Sequence, residues 1–137
     1  MTYRFLEHTA DVKFVSEGKT IEEAFVSAFD AVRETVYGKI VVLEQEKKEV
    51  KISGKDFESL LLNFLEEFLF LLDSGGFLPA KIEKIEIDSE KFELFCIVTG
   101  DKADNYKFTN DVKAVTYNEM FVRKEKDRWV CQVVLDV

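Results

Sequence analysis

The spacing of apolar and polar positions changes period several times along these 137 residues, and each change predicts an element. Alternation over residues 3–6, and again where Val12 and Phe14 interleave with Lys13 and Val15 up to Gly18, predicts two short strands. Thr20 and Glu23 then form a capping box, and Ile21, Ala24, Phe25, Ala28, Phe29 and Val32 follow at helical spacing. This first helix closes at Gly38, a suitable residue just past a last turn. Residues 40–43 and 49–52 read as a strand pair or as one long irregular strand. Asp56 predicts the N-cap of a second helix running to about residue 73, because its carboxylate can accept the unpaired amide hydrogens of the first turn. Phe57, Leu60, Leu61, Phe64, Leu65, Phe68, Leu69, Leu71 and Leu72 fill well over half of that helix's circumference. Phe70 falls in the narrow polar arc, where cover by a loop is favoured over an exposed ring.

Ser74, Gly75 and Gly76 end the helix, and Pro79 marks the next segment. Ile82, Ile85 and Ile87, then Phe92, Leu94, Phe95 and Ile97, predict a hairpin turning at Asp88, Ser89 and Glu90. Residues 112–123 alternate with apolar side chains on both faces. A turn at Glu125, Lys126 and Asp127 leads to a return strand in which Trp129, Cys131, Val133 and Leu135 alternate with Val130, Gln132, Val134 and Asp136. The expected fold is a two-layer α+β domain over residues 1–137, with two helices on one face of a mostly antiparallel sheet. A mixed sheet stays open, and the first and last strands are expected to be close.

Composition narrows the function classes. With 47% hydrophobic residues and 13 Phe the chain can offset its ordering entropy, so disorder is not a sensible reading. The 27 acidic against 19 basic residues give a net charge of -8, which repels a phosphate backbone and argues against direct nucleic-acid binding. Any role with RNA is expected to run through a protein partner. Cys96 and Cys131 lie in apolar alternating runs and are expected as reduced core residues. Residues 1–8 have no apolar run like a secretory signal, and the longest apolar stretch, residues 60–72, is interrupted by Asn63, Glu66 and Glu67. A cytoplasmic protein without a membrane span is expected.

Few residues invite chemistry. His8 is the single histidine, which removes multi-His zinc sites and leaves no paired nucleophile for it to serve. Gly75 and Gly76 follow a helix instead of opening one, so no phosphate-binding loop is present. The polar stretch 100–111, with Asp101, Asp104, Asn105 and Asp111, reads as a functional loop, but Ala103 breaks a calcium-loop pattern. Asp11 and Asp136 stand at strand ends far apart in sequence. Spacing alone favours two solvated acids over a joint metal site.

Taken together, several segments resemble the archease family across nearly the whole chain. They are Glu7-His8-Thr9-Ala10-Asp11-Val12, Ile21-Glu22-Glu23-Ala24-Phe25, the helix from Phe57 to Glu67, Gly100-Asp101 with Asp104, Val112-Lys113-Ala114-Val115-Thr116-Tyr117, Trp129 and the closing Leu135-Asp136-Val137. The resemblance implies a non-enzymatic accessory protein that activates the tRNA-splicing RNA ligase by promoting its guanylylation and turnover. A chaperone or modulator of RNA methyltransferases is the alternative. It also implies a calcium site, or one for another divalent cation such as magnesium, with Asp11, Asp136 and the Val137 terminus as ligands. Lys113 is implied in activating the partner, with His8 of the first motif as a second candidate. Asn118 stands where many members carry His, and Lys107-Phe108 where many carry Arg-His.

Overall fold

The computed structural model describes residues 1–7 and 11–137. Strands β1 (Thr2–Leu6) and β2 (Val12–Gly18) lead into helix α1 (Ile21–Tyr37), and β3 (Glu46–Ser53) leads into α2 (Phe57–Gly75). Strands β4 (Phe77–Asp88), β5 (Glu93–Lys102), β6 (Ala114–Glu125) and β7 (Arg128–Asp136) complete the chain. The α+β class stands, with every pairing antiparallel. The strands divide into two open sheets, one ordered β1-β2-β7-β6 and the other β3-β5-β4. The first strand is one place removed from the last, with β2 between them.

Both helix starts form where the sequence puts them. Thr20 Oγ1 accepts from the Glu23 amide at 3.1 Å, while the Glu23 carboxylate accepts from the Lys19 amide at 3.2 Å. At α2 the Asp56 carboxylate accepts from the Ser59 amide at 2.7 Å, and Ser59 Oγ accepts from the Asp56 amide at 3.2 Å. Gly38 and Gly76, at φ 67° and 61°, end the two helices in a region that glycine enters without a Cβ clash.

Helix α1 lies on β2. Phe14, Ser16 and Gly18 face it, Ser16 Oγ donates to the Ala24 carbonyl at 3.0 Å, and a Cβ at Gly18 would collide with Glu23 and the Ala24 backbone. The aromatic pairs Phe25–Phe64 (5.8 Å) and Phe29–Phe68 (4.6 Å) join α1 to α2 within one hydrophobic cluster that also takes in residues of both sheets. Cys96 and Cys131 are fully buried and free, as the apolar runs imply.

Three local expectations need correction. Residues 40–43 form no strand, and β3 begins at Glu46; the Leu43 amide instead donates to the Tyr106 hydroxyl at 2.9 Å. Phe70 is not covered by a loop: the residue is 59% exposed, because it shares the outward arc of α2 with the exposed Asn63. The segment 112–123 is not one continuous alternating strand. Its pairing with β7 shifts between Thr116/Val134 and Phe121/Gln132, so residues 117–120 bulge out opposite Val133 alone. That bulge is why Val115 and Val122, of opposite parity, are both buried.

Candidate functional site

The site is set by how three strands end. Val12 pairs with Leu135, the last registered pair between β2 and β7, so Asp11 precedes the one residue and Asp136 follows the other. Alternation puts Asp136 on the sheet face opposite Val133 and Leu135, while Asp11 sits in the bend just before β2, at the same end of the sheet.

Strand β6 brings the third component. Ala114 pairs with Asp136, and the Lys113 amide donates to the Asp136 carbonyl at 2.7 Å. Lys113 and Asp136 are both exposed, and Val137 is half-buried. The structure thus gathers Asp11, Lys113, Asp136 and Val137 at one end of the four-stranded sheet. His8 lies outside the described residues.

Residues with no sequence signal of their own border this end. Glu119, at the positive φ of 54° within the bulge, pairs with Lys13 at 3.2 Å, and its carbonyl accepts from Gln132 Nε2 at 2.7 Å. The bulge therefore folds back over the face that carries Asp136. From α2, the Glu66 carboxylate accepts from the Val115 amide at 2.8 Å beside this end, whereas Glu58 accepts from the Val122 amide at 3.0 Å beyond the bulge and away from it. Apolar residues on both sides of the 112–123 alternation were the available hint of the bulge. Nothing in the local sequence marks the two glutamates, which read as an ordinary polar helix face.

At the end of β5, Asp101 serves the fold. Asp101, only 5% exposed, accepts from the Tyr106 hydroxyl at 2.7 Å, the Lys102 amide at 2.8 Å and Asn105 Nδ2 at 3.3 Å. The Tyr106 hydroxyl bond, followed by the Lys102 amide, holds the Asp101 carboxyl below its ordinary range. Through Tyr106 this network anchors residue 43 to the end of β5.

Among the described residues, no three His, Cys, Asp or Glu side chains gather as a metal cluster. A cation at the strand ends would rest on the two aspartates and a backbone oxygen. Such a donor set, all oxygen with two carboxylates, fits a hard divalent ion.

The family model of the Archease protein family (MTH1598/TM1083) matches residues 3–137. The chain belongs to the archease family. A protein named archease from Methanosarcina mazei is 34% identical over 98% of this chain and 95% of its own length. Among solved archease structures, the solution structure of Methanobacterium thermoautotrophicum protein 1598 superposes with a TM-score of 0.83 at 31% identity, covering 98% of each chain. The crystal structure of a Thermotoga maritima protein, described as an archease and possible chaperone, gives a TM-score of 0.69 at 25% identity over 96% of this chain and 94% of that one. No helix of the described residues is long and apolar enough to cross a membrane.

Proposed function

We propose that this archease is an accessory protein, without catalysis of its own, that activates the tRNA-splicing RNA ligase by promoting guanylylation of the ligase histidine. The observation that carries the reading is the Val12–Leu135 pairing, which sets Asp11 and Asp136 at neighbouring strand ends beside Lys113. Asp11 and Asp136, together with Val137, would hold calcium or magnesium. The ion would supply a fixed positive centre between groups that otherwise repel. Lys113, exposed at the same end, is the residue presented to the ligase. A net charge of -8 suits approach to a basic, RNA-binding partner and disfavours direct contact with RNA.

The test mixes the protein with the RNA ligase of its organism and follows GMP loading from GTP. Faster loading, and multiple turnover at substoichiometric accessory, is expected; Asp11→Ala and Asp136→Ala remove the effect and keep the fold. Unchanged loading by the wild-type protein would overturn the reading. The Thermotoga relative's description as a possible chaperone favours one alternative, a chaperone of RNA methyltransferases. Improved methyltransferase solubility without any effect on the ligase would select it.

A further inference from the structure

The start of β6 is a weakly held piece of sheet. It pairs with β7 only through Ala114–Asp136, Val115–Leu135 and Thr116–Val134 before residues 117–120 leave the ladder. Among the described residues its outer side has no neighbouring strand, since β6 is the sheet edge. An edge stub that short would fray if its outward amides met only water.

Helix α2 stands where the next strand would be. Glu58 and Glu66 are eight residues apart, a little over two turns, and so project from one side of the helix. Their carboxylates take the Val122 and Val115 amides, one on each side of the bulge. Val115 is two residues from Lys113 and pairs with the neighbour of Asp136. The ionised acceptor makes each bond stronger than an amide–amide ladder bond.

We infer that Glu66 is a positioning residue for the Lys113–Asp136 end: by accepting the Val115 N–H it fixes the strand stub that sets Lys113 against Asp136. Its functional consequence rests on the reading of that end given above, while its structural consequence does not. Glu58 supplies an internal control, because it makes the same kind of bond on the far side of the bulge, away from the site.

The experiment compares Glu66→Ala, Glu66→Gln and Glu58→Ala in amide hydrogen exchange followed by NMR, and in ligase guanylylation. Glu66→Ala is expected to speed exchange at Val115 and Lys113 by about tenfold and to cut stimulation by a similar factor. Glu66→Gln retains a carbonyl acceptor and should restore most of both. Glu58→Ala should speed exchange at Val122 and leave Lys113 and stimulation near wild type. Unchanged Lys113 exchange in Glu66→Ala overturns the inference, as does equal loss in Glu58→Ala, which would signify general loosening. Full stimulation by Glu66→Ala despite faster exchange also overturns it. Should wild-type protein fail to stimulate the ligase, the functional reading falls, and Lys113 exchange still decides whether Glu66 positions that end.

Discussion

The amide of Lys113 donates to the carbonyl of Asp136 at 2.7 Å, so a lysine that precedes β6 and an aspartate that closes β7 are fixed to one another through the backbone. Their side chains stay exposed and available to a partner. This leaves the charges at the sheet end adjustable by substitution without loss of the fold. Asp136→Asn is therefore expected to change stability by less than about 0.5 kcal/mol while weakening the proposed Ca²⁺ binding at least about tenfold. Calorimetric titration alongside urea unfolding measures both.

Asp101 gives a pH signature. Its folded value is depressed, chiefly by the Tyr106 hydroxyl and then the Lys102 amide, so its contribution is present above the unfolded carboxyl value of about 3.9. It is lost as pH falls through the lower folded value. Asp101→Asn is expected to flatten this acid limb, which urea midpoints measured between about pH 2 and 5 would report. A limb as steep as wild type would assign it to other carboxylates.

Burial pushes the Cys131 thiol up to about 12. A raised folded value leaves stability unaffected below the ordinary thiol range near about 8.5 and erodes it as pH rises from there toward the folded value. At about pH 8 the thiol should react with iodoacetamide only as fast as the chain opens. Mass spectrometry of alkylation with and without urea distinguishes this from a freely reactive group.

Two phenylalanines of α2 should respond in opposite ways. Phe64 is fully buried and meets Phe25 at 5.8 Å and Phe68 at 5.0 Å, so Phe64→Ala is expected to cost about 3–5 kcal/mol. Phe70 is mostly exposed, and Phe70→Ala should fall within about 0.5 kcal/mol of wild type. Urea unfolding of the two variants checks the contrast. A large cost at Phe70 would place it in an interface of the folded state.

Local pattern settled whatever depends on near neighbours in the chain. Thr20 and Asp56 cap the helices because their acceptors lie within a turn of the amides they serve. Alternation in residues 129–136 assigns Cys131, Val133 and Leu135 to the core and Asp136 to the other face, since a strand has only two sides. The resemblance of the first motif and the tail singled out Asp11, Lys113, Asp136 and Val137. Their convergence needed tertiary structure, because only the β2–β7 and β6–β7 registers bring the start of β2, the start of β6 and the end of β7 to one end of the sheet. The division into two sheets and the bulge at 117–120 also came from pairing partners remote in sequence. Glu66 shows the limit most directly: on the helix it is one polar residue among several, and its bond to Val115 exists because α2 packs along the edge of a strand 49 residues away.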